Sequence, residues 1–236
     1  MNVKNIVKKF TLVSLATLGI VASSNTVIAE EELQSAASIE FTNPEVENVP
    51  PKDPENPAND LTDGDGSTND KKPQSLLSLD YVTNLDFDTH EVNQDGGTYN
   101  TVTQKPFVQV SDRRQTGEGW DLRVQLGEFA HGIGPATLVG STINFKNART
   151  QTPGPGTNAP TTSEVTLTAG GESAQIASAA AKTGSLSTAQ GLGTWLIDWI
   201  KDGENDNVTL TVPANEASAG QHSATITWTL TSGPGQ

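Results

Sequence analysis

Residues that could perform acid–base, nucleophilic or metal chemistry are few and scattered in this chain of 236 residues. It has no Cys, which excludes thiol nucleophiles, disulfide bonds and Cys-based zinc sites together. The three histidines, His90, His131 and His222, lie in separate segments without the spacing of a zinc site, and no Gly-x-Ser-x-Gly elbow is present. We therefore expect no catalytic residue, no cofactor and no metal site, and we interpret the protein as not an enzyme.

Carboxylates are the one abundant reactive group. Glycosidase chemistry needs two carboxyl groups roughly 5 to 10 Å apart, and the 16 acids of residues 76–236 allow many such pairs, but none has a context that singles it out. Asp63 to Asp70 places oxygen side chains at alternate positions, as a calcium loop does. The central Gly is misplaced, however, and the twelfth position is Gln74 rather than Glu. A solvated acidic segment is the better interpretation.

The formal charge of −14 is divided unevenly along the chain. Residues 1–29 hold three Lys and no acid, residues 30–75 hold 12 acids and three Lys, and residues 76–236 hold 16 acids and eight Lys or Arg. No long basic run is present, which excludes a nucleic acid partner bound through its phosphates. The chain therefore divides into three regions that differ in charge, and each is considered in turn for the strands or helices that could position a site.

Residues 1–29 have the pattern of an export signal. Three Lys precede an uncharged, mostly apolar run of 13 residues, and small residues stand just before Glu30. That run is too short to cross a bilayer, which takes about 20 residues as a helix. We predict a signal peptide over residues 1–29, a secreted protein and no membrane span in the mature chain.

Residues 30–75 are rich in proline and acid. They hold six of the 13 Pro and only nine residues of the hydrophobic set, so apolar burial could not offset the entropy of ordering them. We predict a disordered acidic linker here.

Residues 76–236 have the alternating pattern of half-buried antiparallel strands. The period of two is clearest over Trp120–Leu126, 208–212 and 224–230. One alanine-rich segment, Ser173 to Lys182, has helix propensity but lacks an apolar stripe. The pattern predicts an all-β domain, a single antiparallel β-sandwich for which a Greek-key or immunoglobulin-like arrangement is one option. Weaker strand candidates are 79–87, 107–110, 138–145, 165–167 and 195–200.

One tripeptide occurs twice in this domain, as Trp120-Asp121-Leu122 and as Trp228-Thr229-Leu230. The first copy follows Val110-Ser111-Asp112-Arg113-Arg114 and a Gly-containing turn, and the second follows Gly193-Thr194-Trp195. In order and context these pieces resemble the WxL domain of Gram-positive bacterial cell-surface proteins, over the whole of residues 76–236. One departure is Gln115, which stands where a small residue, often Gly, is expected.

The resemblance implies non-covalent attachment to the peptidoglycan of the cell wall, with Trp120, Leu122, Trp228 and Leu230 as the motif residues. Residues two apart in a strand share a face, and each motif continues an apolar row. We therefore expect these side chains mainly to hold the sandwich together, with binding on neighbouring loops. The alternative is that the Trp rings are exposed platforms for a sugar polymer.

Two functions remain open at this point. The first is a wall-binding surface protein, located at the cell wall or cell surface, whose partners are peptidoglycan and other cell-surface proteins. The second is an adhesin or interaction module that binds a host matrix protein or another bacterial surface protein. The short N-terminal part, without a second folded domain, favours the first.

Overall fold

Residues 33–68, 75–154, 156 and 158–233 are described by the computed structural model of this protein. The chain divides into two units, Met1–Phe41 and Thr42–Gln236. In the first unit, residues 33–41 are exposed and carry no helix or strand. The predicted signal peptide, residues 1–29, lies outside the described residues and remains a prediction.

The described part of the second unit is built from strands, with one short 3-10 helix at Leu186–Thr188. The strands are β1 Lys52–Asp53, β2 Asn56–Asp60, β3 Gly66–Thr68, β4 Leu77–Thr83, β5 Gly97–Thr101, β6 Phe107–Asp112, β7 Trp120–Leu126, β8 Phe129–Ala130, β9 Ala136–Thr137, β10 Thr142–Phe145, β11 Arg149–Gln151, β12 Thr161–Thr162, β13 Val165–Thr168, β14 Ala174–Ala179, β15 Gly193–Asp198, β16 Asn205–Val212 and β17 Ile226–Ser232.

These strands form three sheets and two small ribbons, with antiparallel pairing throughout. The five-stranded sheet has the order β11-β15-β6-β4-β3, and a four-stranded sheet that we call the β16 sheet has the order β13-β10-β16-β5. The other four-stranded sheet, β12-β14-β7-β17, carries both Trp-x-Leu copies and is called the motif sheet here. The ribbons are β1-β2 and β8-β9. The predicted all-β, antiparallel class is confirmed.

The three sheets share one apolar core. Val108 of β6, Val124 of β7 and Ile143 of β10 come from different sheets, are all buried and belong to the same cluster. Alternation along each strand directs one row of side chains inward. The clearest sequence patterns mark β7 and β16, which lie inside their sheets, and β17, which lies at the edge of the motif sheet. The motif strand β7 coincides with its predicted bounds, Trp120–Leu126.

The helix propensity of Ser173 to Lys182 does not lead to a helix, because these residues form β14. The strand pairs with β7 on one side, and its residues Ala177 and Ser178 pair with the short β12 on the other. Ile176, Ala177 and Ala179 are buried there. A helix of ten residues is marginal in water, so tertiary pairing overrides the propensity of alanine.

The predicted strand 79–87 is also corrected at its end. β4 stops at Thr83, and the following residues leave the sheet through a turn in which the backbone N–H of Asp88 donates to Asp86 Oδ1 over 2.8 Å. Asp88 itself has φ +65°, a left-handed conformation that a strand cannot contain. Two Asp residues flanking one aromatic residue thus act as a turn signal rather than as a strand.

Part of the predicted linker is folded, and the prediction of disorder is corrected for residues 52–68. β3 extends the five-stranded sheet by pairing with β4, and the β1-β2 ribbon is held by the fully buried Gln109. The Gln109 side chain accepts a hydrogen bond from the backbone N–H of Lys52 over 2.7 Å and donates one to the carbonyl of Pro50 over 3.1 Å. Low apolar content excludes an independent core, but not docking of this segment on a core made elsewhere.

A lysine surrounded by acids adds to this docking. Lys105 Nζ lies 3.2 Å from Asp53, 3.4 Å from Glu55 and 3.3 Å from Asp63. Asp63, the first residue of the calcium-loop pattern, is therefore engaged in an ion pair with Lys105. The last residues of that pattern lie outside the described part of the chain.

Candidate functional site

The two Trp-x-Leu copies lie side by side in the motif sheet. β17 pairs with β7 antiparallel, and the register sets Leu230 opposite Leu122 and Trp228 opposite Val124. Paired residues of an antiparallel ladder project to the same face. The four motif residues predicted from the sequence are therefore brought together in one apolar layer, although 105 residues separate the two copies.

This layer faces the core of the molecule. Trp120 and Leu122 are both 0% exposed, while Trp228 and Leu230 are half-buried and pack against the same core cluster. The ring of Trp228 lies 6.0 Å from that of Phe145 and 6.2 Å from that of Trp199, measured between centroids. The first copy thus has no surface with which to touch a polymer.

Trp120 is fixed by a polar contact as well as by packing. Its Nε1–H donates to the carbonyl of Gly191 over 3.1 Å, which satisfies the one polar group that the buried indole carries. Gly191 has φ +68°, and a Cβ there would lie 2.6 Å from Trp120 Nε1. A side chain at position 191 would therefore displace the indole, so the glycine belongs to the same structural unit as the motif.

A buried ion pair lies next to the start of β7, the first motif strand. The Arg114 guanidinium donates to both oxygens of Asp112, over 2.9 and 2.8 Å, and to the carbonyl of Gly119 over 2.8 Å. It also donates to the hydroxyl of Ser232. The Asp112 side chain is fully buried, and its hydrogen bonds raise the pKa of Arg114. Arg114 thereby fastens the end of β6, the start of β7 and the end of β17 to one another; we call this cluster the arginine clasp.

One cleft in the described part of the chain has a volume of about 1050 Å³. Its floor is apolar and comes from both four-stranded sheets: β7 and β17 of the motif sheet, and β10 and β16 of the β16 sheet. Two segments without long strands, residues 85–92 and 217–224, form its walls. At the floor lie the buried Leu126, Ile143, Leu210 and Val212, and the partly exposed apolar surface comes from Ile226, Leu85, Phe87, Ala217 and Ala224.

The comparison with known protein families decides the assignment. A family model described as WxL domain surface cell wall-binding matches residues 28–234. The chain belongs to the WxL domain family. No curated protein and no solved structure was found to match the chain. Membership gives the protein a cell-surface, cell-wall-binding role, and the family is not an enzyme family.

Within this WxL domain, the departure at Gln115 has a structural explanation. Gln115 has φ +59°, a left-handed conformation that costs an L residue with a side chain about 1 to 2 kcal/mol and costs Gly nothing comparable. A small residue is therefore the natural occupant of this turn. The turn forms in the WxL domain even with Gln, because the arginine clasp holds both of its ends.

Two of the three histidines lie against each other beside the cleft. The rings of His131 and His222 pack in a tilted arrangement with centroids 4.1 Å apart. His131 Nδ1 lies 2.7 Å from the carbonyl of Gln221, and His222 Nδ1 lies 2.9 Å from the hydroxyl of Thr137 in β9. The pair joins the β8-β9 ribbon to one wall of the cleft. In the described ranges, no group of three or more His, Asp or Glu residues could hold a metal ion.

The sequence interpretation missed the cleft. Its rim carries Asp86, Asp88 and Glu91, all exposed. The ring of His90 packs against that of Tyr99 in a tilted arrangement, with centroids 4.3 Å apart. The available signal was the Asp-Phe-Asp turn that ends β4, since a polar segment leaving a sheet is a common place for a binding loop. In the part of the chain that the structure describes, no helix is long and apolar enough to cross a membrane.

Proposed function

We propose that the protein is secreted through the signal peptide of residues 1–29 and attaches non-covalently to the peptidoglycan of a Gram-positive cell wall. The observation that carries the proposal is the family match over residues 28–234, whose description is a surface domain that binds the cell wall. Peptidoglycan is the polymer that the resemblance of the motif residues implies.

The packing of the Trp-x-Leu layer supports separate roles for two parts of the domain, one that stabilises the fold and one that contacts the wall. Trp120 and Leu122 have no exposed surface, so they stabilise the sheets and cannot cover a sugar ring from outside. Trp228 and Leu230 complete the same layer from the neighbouring strand. We assign the motif residues to the core and the wall contact to the cleft, because its apolar floor and polar rim are the usual composition of a ligand site.

Co-sedimentation tests the attachment. Purified protein is mixed with peptidoglycan sacculi stripped of teichoic acid, and the pellet and supernatant are compared at low and at moderate salt. We expect the protein in the pellet under both conditions. Protein that stays in the supernatant at both salt concentrations would refute attachment to peptidoglycan.

Intact walls provide a second measurement. The chain carries a formal charge of −14 and is repelled by anionic wall polymers, and salt screens that repulsion over a Debye length of about 10 Å at 0.1 M. We therefore expect binding to intact walls to increase with salt, whereas binding to stripped sacculi should change less. Mass spectrometry of the protein from the culture medium tests secretion, since the predicted mature chain begins at Glu30.

A further inference from the structure

The cleft has a charge pattern as well as a shape. Asp86, Asp88 and Glu91 lie along one wall and are exposed, and no Lys or Arg is among the lining residues. In the described ranges, no ion pair involves these three acids. The rim is thus an uncompensated negative patch next to an apolar floor, which favours a ligand that combines a cation with small apolar groups.

Residues 85–92, the wall that carries the acids, are stabilised by hydrogen bonds to neighbouring backbone groups. These bonds use only one carboxylate oxygen of each Asp and leave the other for a ligand. Asp86 Oδ1 accepts from the backbone N–H of Asp88 over 2.8 Å, and Asp88 Oδ1 accepts from that of Thr89 over 2.7 Å. The backbone carbonyl of Asp86 in turn accepts from the N–H of Val102 over 2.9 Å. The second oxygen of each Asp has no hydrogen bond within the described part of the chain, so each can still accept one from a partner.

We propose that this cleft binds the peptide part of peptidoglycan, with the free amino group of a stem peptide against Asp86, Asp88 and Glu91 and its small apolar side chains over the floor. The inference rests on the proposed function, because it names the part of the wall polymer that the domain recognises. Charge complementarity selects the peptide, because the side-chain amine of its diamino acid can place a positive charge at the acidic rim, while the carboxylates of the same peptide lie at other positions.

Chemical modification of the ligand provides the test. Sacculi stripped of teichoic acid are divided in two, and the peptide amines of one half are acetylated, which removes their positive charge and leaves the glycan strands unchanged. We expect the protein to sediment with native sacculi and to bind acetylated sacculi about two- to fivefold more weakly, as loss of an exposed charge pair predicts. Equal binding to both would overturn the inference and leave attachment to peptidoglycan intact.

Variants of the rim test the protein side of the same contact. The double variant Asp88→Asn/Glu91→Gln removes two charges at the cleft and keeps the hydrogen-bond acceptors, whereas Glu172→Gln/Asp202→Asn removes two exposed charges elsewhere. We expect the rim variant to bind native sacculi about two- to fivefold more weakly, with no further loss on acetylated sacculi. A rim variant that binds as tightly as the matched control would overturn the inference.

Titration with a soluble stem peptide separates the two proposals if the wild-type protein fails to sediment. The tetrapeptide with a free Lys amine is added to isotope-labelled protein, and amide shifts are followed by NMR. Saturable shifts at residues 85–92 and 217–224 that disappear with the acetylated peptide would support the cleft, even if attachment to sacculi is refuted. If the free peptide causes no shift at these residues, the inference is wrong.

Discussion

Replacing Trp120 with Ala would remove one of the largest fully buried side chains of the domain. Truncation of a buried Trp costs about 3 to 5 kcal/mol through lost apolar contact and the cavity that remains. The variant also leaves the Gly191 carbonyl without the indole donor, 3.1 Å away in the wild type, at a cost of about 1 to 3 kcal/mol. The expected loss is about 4 to 8 kcal/mol, against a total stability of about 5 to 15 kcal/mol for a typical domain.

Urea unfolding followed by far-UV circular dichroism measures this loss without relying on Trp fluorescence. With a slope of about 2 kcal/mol/M, the unfolding midpoint of Trp120→Ala should fall by about 2 M or more. Trp228→Ala is the matched control from the second copy. Its ring is half-buried, so we expect a smaller loss, about 1 to 3 kcal/mol, in proportion to the apolar surface that it buries.

Sedimentation with sacculi completes the experiment. If Trp120 belongs to the core, a Trp120→Ala protein that remains folded in the assay buffer binds sacculi as the wild type does, because the cleft is unchanged. A Trp120→Ala protein whose midpoint lies within about 0.5 M of the wild type and which no longer sediments would refute the reasoning. That result would make the ring a contact surface.

Three further outcomes are expected, each measured by urea unfolding. Gln115→Gly should raise stability by about 1 kcal/mol, because the left-handed φ of +59° costs Gly little; a loss of stability would contradict the assignment of strain to this turn. Arg114→Ala should cost about 3 to 5 kcal/mol, since it leaves the fully buried Asp112 without its cation; a loss below about 1 kcal/mol would show that the arginine clasp contributes little. Burial raises the pKa of Asp80, so the stability contributed by its protonated form is complete at low pH and is lost as pH rises through the folded-state value. The stability of the wild type relative to Asp80→Asn should accordingly increase as pH is lowered from 7 toward 4, and an unchanged or opposite difference would contradict this.

The domain boundary can be tested by the same method. A chain that begins at residue 76, the predicted start of the domain, lacks Lys52 and Pro50, two of the hydrogen-bond partners of the buried Gln109. It also lacks Leu61, which packs against Tyr81, Phe107 and Leu196. We expect it to unfold at lower urea than a chain that begins at residue 42. Equal midpoints would show that residues 42–75 add nothing to the stability of the fold.

Much of the motif sheet could be predicted from the sequence. The alternation of Trp120, Leu122, Val124 and Leu126 is a local signal of a half-buried strand, and β7 has the predicted bounds. The resemblance to WxL domains was also available, since it rests on short motifs in a fixed order. The family match confirms it.

Other elements depend on partners that are distant in sequence. β14 is alanine-rich and has no strand signal of its own, yet it completes the motif sheet beside Trp120. Residues 52–68 have too few apolar side chains to predict a fold, but Gln109 and Lys105 hold them on a core supplied by others. In each case the contacts that stabilise the segment are made with residues far away in the sequence. The composition of the segment itself therefore does not predict them.

The sequence by itself determined the strand class of the domain, the family and the absence of cysteine chemistry, because periodicity, motif order and composition are properties of the chain alone. Only the tertiary structure decided that the Trp-x-Leu copies form one layer against the core, that Asp112 and Arg114 form a clasp, and that a cleft lies beside two sheets. The register between β7 and β17 and the cleft are set by non-local pairing and packing. Side chains such as Asp88 and Leu210, far apart in the sequence, line one cleft only when those sheets close around the core.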